Sequence, residues 1–447
     1  MVSFPENFLW GVSTSAHQFE GGNVHNQWHA WEHSGRTRSG ELSGDACDWW
    51  RNAERDLDLC AGLGLNALRI SLEWGRLEPQ EGRWDATAFE RYRVMLRAIR
   101  DRGMRPFVAL HHFTHPNWFE EGGGFLDAAS PQRFCELARR SVEELGELCS
   151  DWLTFNEPNV YAAFGYWFGD FPPGKHNEMR DCAVALANIH RAHALAYGAM
   201  HRLQPDANVG LTTNWIDFKP ASASPADQLL AYTYDAIFNR SSLQLLRSGS
   251  LQFPFGALAP DVPEVMQKTD FAGVNIYSRL YVRVPWSEAD RKTGGTFVPE
   301  NVPQGDPGIE AAYGETCPDA VITAVKEYAT LGVPIYVMEN GVPDRSDRIR
   351  PWMIVRTLAN LGKLIERGHD VRGYFHWSIV DNYEWSEGWA LRFGLYELDP
   401  VTQERRARGS AEIYRQIIAQ KGISDELSGR FALPPVAGSH PPFNGRH

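Results

Sequence analysis

The chain is 447 residues long, with 43% hydrophobic and 12% aromatic residues, enough apolar material for a large buried core. Length alone suggests about three domains, although barrels often run past that expectation. Its 44 basic and 56 acidic side chains leave a net charge of −12, with no basic tract and no acidic tail, which argues against nucleic acid and against an anionic membrane surface as partners.

The opening residues, Met1-Val2-Ser3-Phe4-Pro5-Glu6, lack the charged start and the apolar run of a signal peptide or a membrane span. Six cysteines, at 47, 60, 135, 149, 182 and 317, show no CxxC pair and no metal-ligand spacing, so they are expected to be reduced thiols in a cytoplasmic protein. Residues 7–15 (NFLWGVSTS) read as a first strand, followed by a polar stretch and a loop rich in Trp, His and Gly that runs to about Trp50. Residues 54–63 read as a helix closed by Gly64, and residues 66–73 (NALRISLE) as a second strand. That strand carries Arg69 inside an apolar run, so the cation needs an acidic partner. Residues 85–102 have apolar side chains at 89, 92, 96 and 99, a helical spacing, with Thr87 and Glu90 placed as a capping box and Gly103 as the stop.

Residues 105–112 (RPFVALHH) form the third strand, and Ser130-Pro131 opens the next helix with a cap and a proline in its first turn. That helix leads into the fourth strand, residues 151–155, which runs into WLTFNEP. Residues 208–213 and 270–278 (DFAGVNIYS) are the fifth and sixth. A helix from Cys317-Pro318 to Gly332 precedes the seventh, residues 334–341 (PIYVMENG), and a helix ending at Gly368 precedes the eighth, residues 371–380 (VRGYFHWSIV). Eight apolar strands separated by helices or helix-length segments predict an α/β fold, a single-domain (β/α)8 TIM barrel over residues 1–432. The surplus over a minimal barrel falls in long loops at 21–50, 165–181 and 278–316, and residues 433–447, with four prolines and two glycines, read as a loosely ordered tail.

Two of these strands end in carboxylates. WLTFNEP stops at Asn156-Glu157-Pro158, since Pro158 cannot donate to a sheet and favours an extended Glu157. PIYVMENG stops at Glu339-Asn340-Gly341. A carboxylate at the lip of a buried strand is costly unless it is paired or functional, and in a barrel the C-terminal lip carries the chemistry. Two such carboxyls are what cleavage of a glycosidic bond requires. The bland alternative makes each a neighbour of a helix cap or a salt-bridge partner. Sixteen tryptophans agree with a sugar ligand, whose C–H faces stack on aromatic rings, although a large aromatic core accounts for several. Trp10, Trp49, Trp50 and Trp152 are assigned to packing. His111, His112 and His115 form HHxxH on one loop, but the further ligands of a metal centre are not evident, so no metal is expected. Asn156, Asn340 and Asn382 are also suited to capping the helices that follow strands, a role compatible with substrate binding.

In order along nearly the whole chain, the motifs FPENFLWG with Gln18, LRISLEW, LHH, TFNEP, GVNIYS, VMENG and WSIVDNYEW…RFGLY resemble glycoside hydrolase family 1, the β-glucosidase-like retaining enzymes. The loop NVHNQWHAWE and the strand end ISLEW resemble its archaeal-type branch more than its plant-type one. The resemblance implies Glu157 as general acid/base and Glu339 as nucleophile, with Asn156 on the sugar 2-hydroxyl. Arg69 and Tyr277 would then stand beside Glu339, keeping it ionised and oriented. Gln18, His112, Glu384 and Trp385 would hold the other hydroxyls of the non-reducing sugar, over a floor formed by Trp377. Asn275 would lie near the acid/base, and Phe393 would be an aromatic wall. The resemblance implies no cofactor, and its expected partner is a small β-linked carbohydrate.

Three positions depart from the commonest family pattern: Phe113 stands for a Trp, Ile276 for a Tyr and His17 for a Tyr. Phe113 and Ile276 are expected beside the sugar site, where they bear on sugar preference rather than on the reaction. An inactive sugar-binding relative is expected to lose one carboxylate, and thio-glycosidases replace the acid/base by Gln; here both carboxylates are intact. Transglycosylation needs the same residues as hydrolysis. The expectation is retaining, exo-acting hydrolysis of β-linked hexosides, with β-glucosides foremost and β-galactosides and β-fucosides as side substrates. Glu384-Trp385 is retained, and Leu391 stands where the phospho-glycosidases of the family carry Lys, so the sugar is expected to be unphosphorylated.

Overall fold

The computed structural model describes residues 1–310 and 312–435. Eight strands close into one parallel barrel: β1 (Leu9–Ser13), β2 (Ala67–Ser71), β3 (Arg105–His111), β4 (Asp151–Asn156), β5 (Asn208–Pro220), β6 (Phe271–Val282), β7 (Ile335–Asn340) and β8 (Val371–His376). Each pairs with the next in the chain, and β8 returns to β1 with Tyr374 opposite Trp10. Helices fill the connections, which makes this the (β/α)8 barrel that the strand pattern predicted. Residues 433–435 of the predicted tail are described, and residues 436–447 lie outside the described residues.

Burial on both faces explains why the strands read as unbroken apolar runs. Inward side chains, among them Ala67, Leu153, Phe271, Tyr336 and Met338, fill the barrel interior. Phe107 packs edge-on against Phe271, Tyr336 and Phe375 at 6.2, 5.5 and 5.3 Å. Gly11 makes room for that cluster, since a Cβ there would stand 2.4 Å from the Phe375 ring. Outward side chains such as Val12, Leu68, Val108 and Trp152 pack beneath the helices. Burying each large apolar side chain contributes roughly 1.5–3 kcal/mol.

Several element ends differ from the sequence reading. The helix over 85–102 spans Ala86–Asp101, and its cap is Asp85, whose carboxylate accepts from the Thr87 and Ala88 N–H groups. Glu90 turns instead to Arg93 and Arg97, so no capping box forms. Ser130 is the first residue of the helix Ser130–Leu145 and makes no cap bond. The helix before β2 begins earlier, at Trp49, with a break at Asn52. β5 and β6 run on together to Pro220 and Val282. Polar residues made β5 look finished at Thr213, but Asn214 and Asp217 both find partners, Glu157 and Arg279. β8 stops at His376, just before a cis peptide between Trp377 and Ser378. The three long loops converge over the C-terminal end of the barrel, where Arg38, Asp170 and Tyr313 meet one cavity. All six cysteines are free thiols. Among the described residues, no helix is long and apolar enough to cross a membrane.

Candidate active site

Both strand-end acids are aimed by local irregularities. Leu153 of β4 pairs with Gly210 and Asn156 with Thr212, so β4 holds one residue more than β5 just below its end. Val337 of β7 pairs with Val274 and Glu339 with Asn275, again with one residue extra. Such bulges shift the in–out alternation by one. They turn Asn156 and Glu339 inward and leave Phe155 outside, stacked on Phe134 at 4.2 Å. Glu157 is turned differently. It is not extended, as Pro158 suggested, but left-handed, at φ 50° and ψ 59°. The helix Pro158–Ala162 starts at the next residue, so this one residue makes the whole turn, its N–H held by the Thr212 carbonyl at 2.7 Å. A left-handed non-glycine costs about 1–2 kcal/mol and such residues gather at working sites. Phe113 and Trp385 share that conformation and line the same cavity.

That cavity, of about 280 Å³, sits at the C-terminal end of the barrel, and both carboxyls face it. Their neighbours differ. Arg69 and the Tyr277 hydroxyl donate to opposite oxygens of Glu339. Arg69 is fully buried, so Glu339 is the acidic partner its apolar strand demanded. Glu157 accepts instead from the amides of Asn275 and Asn214, at 2.7 and 2.9 Å, through one oxygen. Burial pushes the Glu157 carboxyl up to about 8, and the charge of Glu339 adds to the shift, against the pull of the two amides. Asn156 stands behind the pair. Its Oδ1 accepts from Arg69 at 2.9 Å and Asn275 at 3.1 Å, and its Nδ2 lies 3.2 Å from Nε2 of His112.

Gln18, His112, Trp377, Glu384 and Trp385 line the same cavity. The Ser15 hydroxyl donates to Gln18 at 2.6 Å, and the Gln18 amide donates to Asn382, the Tyr383 carbonyl and Glu384 at 2.9, 2.9 and 3.2 Å. Asn382 thus orients Gln18 rather than capping a helix. Asn340 is likewise occupied, donating to the Ile276 carbonyl at 2.5 Å and accepting from Tyr374 at 3.0 Å. Burial, with Glu339 second, pushes the Glu384 carboxyl up to about 8. His112 stacks between Trp377 and Trp385, 5.9 Å from each, and burial, Arg69 and His111 hold it well below its ordinary value, so it is neutral. Gly341 admits the Trp377 carbonyl, which would stand 2.2 Å from a Cβ there. Phe393 lies one layer back, edge-on to Tyr277 at 5.9 Å and Tyr313 at 5.3 Å.

Two of the three departures touch the site, but not the two expected. Phe113 lines the cavity. Ile276 packs into the core outside it, while His17 stacks flat on Trp385 at 5.7 Å and lies 3.5 Å from Glu32. The alternation along β6 explains the error, because Asn275 and Tyr277 take the inward positions on either side of Ile276. In HHxxH, His111 lies 3.3 Å from His115, which reaches Glu120 at 2.7 Å. Among the described residues, no three His, Cys, Asp or Glu side chains group as metal ligands. Sequence reasoning missed Asn214, Arg38, Asp170 and Tyr313. Asn214 gave a signal, a polar residue directly after an apolar run; the other three lie in loops that gave none.

Comparison with known proteins places the chain in a family. The family model described as Glycosyl hydrolase family 1 matches residues 1–423. The β-glucosidase A of Thermotoga maritima is 30% identical over 94% of this chain and 99% of its own length. A β-galactosidase of Sulfolobus acidocaldarius is 29% identical over 98% of this chain and 99% of its own. Among solved structures, a β-glycosidase from Pyrococcus horikoshii superposes with a TM-score of 0.87 at 36% identity, covering 97% of this chain and 99% of that one. The Thermotoga maritima β-glucosidase in complex with glucoimidazole has a TM-score of 0.85 at 27% identity, covering 94% of this chain and 100% of that one.

Proposed function

The chain belongs to glycosyl hydrolase family 1, and from that membership we propose that it is a retaining, exo-acting β-glycosidase that hydrolyses unphosphorylated hexosides by double displacement. The observation that carries this reading is one cavity with two carboxyls in opposed surroundings. Glu339 is held by a guanidinium and a phenol, whereas Glu157 is buried among amides and pushed up to about 8. A carboxylate paired with a guanidinium is suited to attack, and a carboxyl pushed up to about 8 is suited to give a proton.

In the first step Glu339 attacks the anomeric carbon while Glu157 gives its proton to the departing oxygen. In the second, water adds to the same carbon, passes its proton to Glu157 and releases Glu339. Asn156 has two amide hydrogens and spends one on His112, which leaves the other for the 2-hydroxyl. Gln18, neutral His112, Glu384 and Trp385 take the remaining hydroxyls, and Trp377 lies under the ring. The core below and the loops above bound the cavity, which suits attack at the end of a chain. Relatives named β-glucosidase and β-galactosidase support β-glucosides as the main substrates with β-galactosides beside them, and β-fucosides are proposed as a further side substrate.

A panel of nitrophenyl β-glycosides on the pure protein ranks the sugars. Proton NMR of the first-formed product is expected to show the β anomer, with the two carboxyls about 5–5.5 Å apart. An α product would make the enzyme inverting and end the assignment of Glu339. An added alcohol acceptor measures how much glycosyl transfer accompanies hydrolysis.

A further inference from the structure

We infer that the leaving-group side of this cavity is built for an apolar aglycone, an alkyl or aryl group, rather than for a second sugar. The inference rests on Glu157 as the acid, because that carboxyl marks where the leaving oxygen stands. The surface around it is apolar. Val160 and Phe164 come from the helical segment that begins right after Glu157, and both line the cavity. Ile216 lies two residues beyond Asn214, the amide partner of Glu157, on the same side of β5. Phe238 joins them from the facing segment, with Phe171 and Leu280 completing the wall.

This wall is held in place. Asn239 clamps Ile216 through both backbone groups, at 3.0 and 2.7 Å, and Asn159 binds the Phe238 carbonyl at 3.0 Å. Phe164 and Phe238 each sit in a π-helical turn, Ala163–Phe168 and Asp235–Asn239, a form that recurs where helices bend at working sites. Polarity is divided across the cavity. Gln18, His112 and Glu384 face the sugar side, whereas the polar exceptions among the described residues on the leaving-group side, inside the charged rim, are Asn214, whose amide nitrogen is on Glu157, and Ser278. A second sugar would bring several hydroxyls against carbon, and buried hydroxyls without partners weaken binding. Further out, Arg38 meets Asp170, Glu387 and Glu310 at 2.6, 2.8 and 3.3 Å, a charged rim that marks the end of the apolar wall.

Alkyl β-glycosides and β-linked disaccharides both release an alcohol protonated by Glu157, and the sugar hydroxyl is the more acidic and better leaving group. An advantage of the alkyl glycoside in kcat/KM therefore reads contacts rather than leaving-group ability. With the sugar chosen by the nitrophenyl panel, kcat/KM is expected to rise about two- to fourfold per added methylene from methyl upward, then level off at the rim. The octyl glycoside should exceed the disaccharide about tenfold or more. In Ile216→Asn, the ratio of octyl glycoside to β-glycosyl fluoride turnover is expected to fall about fivefold or more, because the fluoride carries no aglycone. Phe238→Ser is the second variant if the first does not fold. A flat alkyl series, or a disaccharide turned over as well as the octyl glycoside, overturns the inference while leaving the hydrolase reading intact. No turnover of the fluoride by the wild type would overturn the hydrolase reading itself.

Discussion

Glu157 and Glu339 are identical side chains in one cavity, and only their neighbours make them different. Both are buried, but Glu339 carries a charge partner in Arg69, whereas Glu157 has two amides. The same coupling explains how one carboxyl serves as acid and then as base. Once Glu339 is a glycosyl ester its charge is gone, and Glu157 gives up its proton more readily. Glu339→Gln imitates that state. Burial is the larger cause of the Glu157 shift and survives the substitution, so a carbon-13 NMR titration of Glu157 should move below about 8 yet stay above the ordinary 4.5. An unchanged or higher midpoint would mean that the two groups are not coupled. In the wild type the proton on Glu157 is needed for the first step, so kcat/KM is expected to fall as pH rises through about 8. Glu384, also pushed up to about 8 and also facing Glu339, shares that limb. The positions of both acids were legible because a carboxylate at a buried strand end is expensive. The backbone of Glu157 was not, because the preference imposed by Pro158 yields to a turn that one residue must complete.

Strands and their loops carry the next level of control. The extra residue near the ends of β4 and β7 puts Asn156 and Glu339 inside the barrel, and strict alternation would have put each outside. A sequence of apolar residues buried on both faces has no alternation to interrupt, so a bulge leaves no trace in it. The loop after β8, which presents Glu384 and Trp385, depends on an anchor that sequence also concealed. Asp381 is fully buried and accepts from Nη1 and Nη2 of Arg408, each at 2.8 Å, and from the Gly394 N–H at 2.9 Å. Arg408→Met leaves that carboxylate with Arg392 as its nearest cation, 3.9 Å away. The expected cost is about 3–5 kcal/mol in chemical denaturation, because removing one partner strands a buried charge. KM for the preferred glycoside should rise with it, since the anchored loop holds two groups that line the cavity. Denaturation at the wild-type midpoint would show that the anchor is dispensable.

At the scale of the whole molecule, the chain carries a net charge of −12, and the cavity shares its sign. Among the described residues that line the cavity, one cation, Arg38, stands against five carboxyls, those of Glu157, Asp170, Glu339, Glu384 and Glu387. Arg38 is already engaged by Asp170, Glu387 and Glu310. A sugar 6-phosphate therefore meets excess negative charge and no unengaged guanidinium or ammonium. Glu384 as a carboxylate would repel a phosphate, but its carboxyl is pushed up to about 8 and is mostly protonated at neutral pH. The repulsion comes from the field of Glu339, Asp170 and Glu387 together, and Leu391, an apolar side chain in the cavity wall where the phospho-glycosidases carry a cation, supplies no charge to offset it. Nitrophenyl β-glucoside 6-phosphate is expected to turn over about a hundredfold more slowly in kcat/KM than the plain glucoside, the scale of an uncompensated like-charge contact. Raising the ionic strength should narrow that gap, because screening acts on the dianion and leaves the neutral glucoside unchanged. A gap that ignores salt would assign the discrimination to shape, and preferred turnover of the phosphorylated sugar would overturn the electrostatic account altogether.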